Sequence, residues 1–434
     1  MKGKGSLDFG WVIVGVGFIT LGLAYGVWYS FSVFFVAVLN EFGWSRSLAA
    51  GAFSLFAIVH GVTGPFVGGM VDRFGPRRVI LVGSLLLGFG LALCSLTSAW
   101  WHYYLFFGII TATGVGTTGW VPNTTLIQQW FKTNRGLAIG IISSGIGVGI
   151  LVCVPSVQHL INGVGWRMAY RIMALCIPVI VAAMALVFLR RSPQPISPRG
   201  TSIPEKEIIA TAAEAPPILD EEWTSRSWTV RQALTTKQFR LLCIALPLGP
   251  FITQSILSHQ VAFFVDQGVD TLLASYIVGI VGITSVGAKI LWGTLSDRIG
   301  REITYTMGIT CAICGMILLI VFSIYPYPAL QYSYGILFGM GYAAVAALPA
   351  IITADFFEGR GYGGIFGTLM FLMGIGAASG TWLAGFLYDH LGSYVLVFII
   401  MIACALLACL IIWVVAPRKI RNVPGKRHAS PPSV

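Results

Sequence analysis

The chain has 434 residues, of which 56% are hydrophobic and 10% charged, and its formal net charge is +11. Soluble domains carry about 25% charged residues, so this balance excludes one and points to a polytopic membrane protein. A charge of this size would suit nucleic acid, but the placement of the basic residues assigns it to topology and the lipid surface instead.

In chain order, Met1-Lys2-Gly3-Lys4 precedes a long apolar stretch from Trp11. That stretch is too long for a signal peptide and lacks a small-residue cleavage site, so it reads as a retained first helix. A membrane span needs about 20 apolar residues. Twelve are predicted, beginning near Trp11, Leu48, Val79, Trp101, Gly136, Met168, Phe239, Leu273, Ile303, Ala329, Gly363 and Tyr394. The segment between the halves carries Pro193, Pro195, Pro198, Pro204, Pro216 and Pro217 and the run Asp220-Glu221-Glu222, which is linker composition. Its end, Trp228 to Arg240, reads as a short interfacial helix. The expected organisation is an all-α membrane protein. Residues 1–189 form one six-helix bundle, 190–236 a cytoplasmic linker, 237–416 a second bundle and 417–434 a basic tail.

Orientation follows from the placement of Lys and Arg. With twelve spans both termini share a side, which receives Lys2, Lys4, Arg73, Arg77, Arg78, Lys132, Arg135, Arg298, Arg301, Arg360, the linker and the tail. The opposite side keeps Arg46, Arg167 and Arg171. The positive-inside rule therefore predicts a multi-pass protein of the cell (inner) membrane with both termini cytoplasmic. The eight cysteines all lie in apolar runs and read as packing residues. No P-loop is present, and no cofactor or metal is expected.

The strongest motif is internal. Gly68-Gly69-Met70-Val71-Asp72-Arg73-Phe74-Gly75-Pro76-Arg77 follows span 2, and Gly293-Thr294-Leu295-Ser296-Asp297-Arg298-Ile299-Gly300-Arg301 follows span 8. Two halves carrying one motif at the same place are the parallel repeat of facilitator-type transporters. A gate is the expected role. The leading glycine would allow close helix approach, the Asp would face a helix N-terminus, and the arginines would pair with carboxylates or phosphates.

With this repeat the chain resembles the major facilitator superfamily over nearly its whole length. Within it, the chain resembles the branch of monocarboxylate porters and oxalate–formate antiporters. That likeness rests on Phe9-Gly10-Trp11, Glu41-Phe42-Gly43-Trp44-Ser45-Arg46, Gly114-Val115-Gly116 through Trp120-Val121-Pro122 to Trp130-Phe131, Arg135-Gly136-Leu137-Ala138, Gly145 to Gly149 with Pro155, and His259. The resemblance implies rocking-bundle transport rather than enzymatic chemistry. Relatives usually carry Arg where this chain has Lys289, and animal relatives place an Asp where it has Ser285. Oxalate-exchanging relatives add a cation in span 11, where this chain has Met370-Phe371-Leu372-Met373-Gly374. One cation suits a monocarboxylate and two suit a dicarboxylate. A small monocarboxylate such as lactate, pyruvate or formate is therefore expected, moving with a proton through a functional monomer. The alternative is anion exchange without net proton movement.

Lys289 is the lysine inside a helix core, and an ammonium there costs about 3 kcal/mol or more unless partners or water offset it. It is read as the carboxylate-binding charge. His259 is expected nearer the far side, as a proton-sensitive or gating group. Asn123, Trp120 and Tyr342 complete the expected substrate set, with His60 and His159 read as packing. The gating set is Asp72, Arg73, Arg77, Asp297, Arg298 and Arg301.

Overall fold

A computed structural model of the chain describes residues 4–131, 135–189, 223, 228–357, 361–415 and 417. Most of the linker and tail, together with Lys132 and Arg360, lie outside them. Among the described residues, twelve helices are long and apolar enough to cross a membrane. Spans 1 to 6 are Phe9–Phe42, Arg46–Phe74, Pro76–Cys94, Trp100–Trp130, Leu137–Val164 and Trp166–Phe188. Spans 7 to 12 are Lys237–Asp266, Thr271–Ile299, Arg301–Ile324, Pro328–Phe357, Tyr362–Leu391 and Val395–Val415. They form two six-helix bundles. The termini share one side, called here the terminus side; the turns after spans 1, 3, 5, 7, 9 and 11 lie on the far side.

Short turns separate several spans, and two of those that glycine makes possible fall in the duplicated motif. Gly75, between spans 2 and 3, has φ +80°, and Gly300, between spans 8 and 9, has φ +105°. An L side chain is strained in that region, so the duplicated motif needs these two glycines for the turn itself. The leading glycines, expected to admit a neighbouring helix, do not do so here. A Cβ added at Gly68 or Gly293 would meet nothing within 4 Å.

Close helix approach occurs elsewhere, at mid-depth. Gly145 and Gly149 of span 5 lie against the backbone of Phe18 and Gly22 in span 1. Across the halves, Gly147 of span 5 meets Gly282 of span 8, whose added Cβ would crowd Ile150. Lipid offers helices no hydrophobic reward for associating, so small residues that permit backbone contact carry this packing.

Span 4 is irregular. A π-helical stretch runs Tyr104–Thr111, and the helix breaks at Gly119, with ψ −130°. Asn123 braces the break, its amide donating to the carbonyls of Thr118 (2.8 Å) and Gly119 (2.6 Å). Such bonds satisfy backbone groups that a broken helix would otherwise leave bare in the membrane.

The stretch expected as an interfacial helix before span 7 is a short helix, Val230–Thr235, with a Thr229–Gln232 capping box. Thr236 then caps span 7. Trp228 does not lie on the membrane surface but is buried, its ring 5.7 Å from that of Phe357 at the end of span 10.

Candidate functional site between the halves

Lys289 stands ten residues before the end of span 8, so about 15 Å from the terminus-side helix end at 1.5 Å per residue. That is half the roughly 30 Å hydrocarbon core. Its Nζ lies 5.7 Å from the centroid of the Tyr342 ring, near the outer limit for attraction between a cation and an aromatic face. No carboxylate pairs with it among the described residues. Tyr342, in span 10, carries a hydroxyl 2.6 Å from that of Tyr29 in span 1, and both tyrosines are buried. Gln254 of span 7 lies beside Tyr29, and its Oε1 is buried without a partner. A cation, two phenols and an amide from spans 1, 7, 8 and 10 therefore meet at the seam of the halves. These groups can take up a small anion and orient its neutral end.

The other expected substrate residues are not brought to this point. The Asn123 amide is spent on the break in span 4, and its Oδ1 is buried without a partner beside Gly17. Trp120 is half-buried just after that break. His259 sits seven residues from the end of span 7, about 10 Å from the far-side helix end. Its Nε2 donates to the Thr381 carbonyl (3.0 Å) and its Nδ1 faces the Tyr394 hydroxyl (2.9 Å). His259 thus belongs to a far-side seal whose centre is Arg46. Arg46 donates to Tyr394 (2.7 Å) and Asp266 (2.7 Å), and its guanidinium stacks 3.6 Å from the Tyr388 ring centroid. The backbone N–H groups of Arg46 (2.7 Å) and Ser47 (2.8 Å) donate to the two oxygens of Asp389. A carboxylate from one half thereby caps the positive N-terminus of a helix in the other. Sequence reasoning missed this cluster. The available signal was Arg46, one of few basic residues on the far side, with Asp266 and Asp389 at far-side helix ends.

Inter-half hydrogen bonds run from Tyr29–Tyr342 at mid-depth, through Ser54 to the Ala378 carbonyl (2.7 Å), to the Arg46 cluster, and Asn162 of span 5 donates to Thr271 of span 8 (3.4 Å) on the far side. This conformation is closed on the far side.

The duplicated motif is built differently in the two halves. Arg301 donates to Asp297, to Ser296 (2.7 Å) and to Asp355 (2.9 Å), all within the second half. In the first half Pro76 occupies the place of Arg301, so Asp72 has no such partner; its side chain is exposed. Arg77 instead donates to the Leu186 carbonyl (2.9 Å). Arg73 and Arg298 are exposed. The expected contact of each Asp with a helix N-terminus is seen only as the pairing of Asp297 with Arg301, the first residue of span 9.

Comparison with known proteins agrees with the fold. The Major Facilitator Superfamily model matches residues 17–357. Monocarboxylate transporter 13 of Bos taurus is 24% identical over 400 residues, covering 90% of this chain and 86% of its own. Monocarboxylate transporter 3 of Rattus norvegicus is 27% identical over 408 residues, covering 92% and 78%. Among solved structures, a bacterial homologue of the human lysosomal transporter Spinster, inward-facing and unoccupied, superposes with a TM-score of 0.72 at 15% identity, covering 96% of this chain and 99% of that one. The chain belongs to the major facilitator superfamily and is a multi-pass membrane transporter, similar to monocarboxylate transporters.

Proposed function

We propose that the protein carries small monocarboxylates of the lactate, pyruvate or formate kind across the membrane, coupled to protons. The halves rock about the Lys289–Tyr342–Tyr29 point. The carrying observation is a lysine ammonium at mid-depth that pairs with no carboxylate among the described residues. One unopposed cation matches one carboxylate, and a transported anion offsets the cost of keeping that charge in the membrane. The names of the relatives, monocarboxylate transporters, support the same class. In this reading the tyrosine hydroxyls orient the substrate, while Asn123 and Trp120 shape the first-half wall. Asp72, Arg73, Arg77, Asp297, Arg298 and Arg301 act in closing the terminus side, in the opposite conformation to this one.

Lysine suits proton coupling where arginine does not, because it can shed and regain its proton. Anion and proton would then load together at one residue. The protein would act as a monomer with the terminus side cytoplasmic, as the distribution of Lys and Arg implies.

Lactate counterflow in proteoliposomes, with and without an imposed pH gradient, tests the function. Symport predicts accumulation driven by the gradient. Counterflow that ignores the gradient would instead show anion exchange, and absence of any flux would overturn the reading. A reporter fused at Pro217 should behave as cytoplasmic, and an external signal would reverse the orientation.

A further inference from the structure

The far-side hydrogen bonds have donors and acceptors that chemistry fixes almost completely. A carbonyl only accepts, so His259 Nε2 carries a hydrogen toward Thr381. A guanidinium only donates, so the Tyr394 oxygen accepts from Arg46. The single phenolic hydrogen of Tyr394 then goes to His259 Nδ1, which is the bare nitrogen. Every group in the chain Arg46–Tyr394–His259–Thr381 is satisfied when His259 is neutral.

We propose that His259 is a proton-binding site that operates the far-side seal, such that proton uptake at Nδ1 disengages Arg46 from Tyr394. This rests on the reading that the halves rock, and is independent of the substrate. With a proton on Nδ1, two cationic donors point at one phenol oxygen, and the phenolic hydrogen has to turn away. The imidazolium and the guanidinium then repel each other across Tyr394 in a site with little water. Facing this group are Arg46 from span 2, Asp389 and the Thr381 carbonyl from span 11, Tyr394 at the start of span 12 and Asp266 on its own helix. Phe35 of span 1 closes the remaining side with its ring centroid 4.9 Å away and brings no charge. The Arg46 side chain ties the first half to Tyr394 and Asp266 of the second, beside the backbone bonds to Asp389, so its displacement loosens the seal. Acid on the far side thus favours the conformation that opens there, and loads the carrier from the side rich in protons.

Spin labels at Leu96 and Tyr327, exposed far-side positions in opposite halves, report the separation of the halves. With the native cysteines replaced and no substrate present, the wild type is expected to shift to longer distances as the pH is lowered from about 8 to about 4, a range that takes in histidine protonation in a buried site. His259→Gln is expected to keep the short distance at both, because its amide can donate to Thr381 while its carbonyl accepts from Tyr394. Tyr394→Phe, which removes the shared oxygen, is expected to be long at both. A wild type that does not shift, or a His259→Gln variant that shifts as the wild type does, would overturn the proposal. Lactate counterflow measured alongside bears on the transport reading alone.

Discussion

Arg46→Ala is expected to unseal the far side. The variant loses a charged hydrogen bond to Asp266 and another to Tyr394, and leaves a carboxylate behind without its partner. Hydrogen bonds to charged groups are worth about 1.5–3 kcal/mol each. A loss of about 3 kcal/mol moves the balance between far-side-closed and far-side-open forms by roughly a hundredfold, at 1.4 kcal/mol per tenfold. The two backbone bonds to Asp389 remain, so the halves are weakened at this seam without being freed. Arg46→Lys should fall between wild type and alanine, because an ammonium cannot hold Tyr394 and Asp266 in one planar fork. A cysteine placed at Ser54, the seam residue bonded to Ala378, reads the effect through its reaction with an impermeant thiol reagent added from the far face. Labelling should be slow in the Arg46 protein and about a hundredfold faster in Arg46→Ala. Equal rates would mean that the seal rests on apolar packing and not on Arg46.

Lys289 should matter for a different reason. Lys289→Gln is expected to lose lactate binding, since a neutral site cannot offset the cost of dehydrating a carboxylate. Removing one partner of a hydrogen-bonded charge pair costs about 2–5 kcal/mol, equivalent to a 30-fold loss or more. Lys289→Arg should retain binding but flatten its pH dependence. In the wild type, affinity for the anion falls as pH rises and the ammonium is lost; an arginine stays charged throughout. If Lys289→Arg transports with the wild-type pH profile, Lys289 is a fixed counter-charge and the proton is carried elsewhere, with His259 the first candidate.

Much of this was legible in the sequence, for reasons that separate what is local from what is not. Each span begins within three residues of its expected position, because bilayer thickness dictates a long apolar run whatever the tertiary contacts. Lys289 stood out because a charge in a helix core has few explanations. Tyr342 is among the expected substrate residues, but its place beside Lys289 and Tyr29 depends on packing between spans and was not readable. His259 is expected nearer the far side as a proton-sensitive or gating group, but its partners Thr381 and Tyr394 were hidden, because they lie more than a hundred residues away. The duplicated motif was visible as spacing, yet the function of its glycines was not. Gly75 and Gly300 are required by positive φ, which spacing alone cannot distinguish from close helix approach. The substitution of Pro76 for the counterpart of Arg301 was also in view, and it explains why one Asp is clamped while the other is not.

In the proposed mechanism a carboxylate meets Lys289 between the halves. Equilibrium binding of lactate and of its neutral amide, lactamide, to the purified protein and to Lys289→Gln tests this most directly. The wild type should bind lactate at least 30-fold more tightly than lactamide, at the free-energy cost given above for an unpaired charge, and Lys289→Gln should discriminate little between them. A Lys289→Gln protein that still prefers lactate as strongly as the wild type would contradict the assignment of this residue as the anion site.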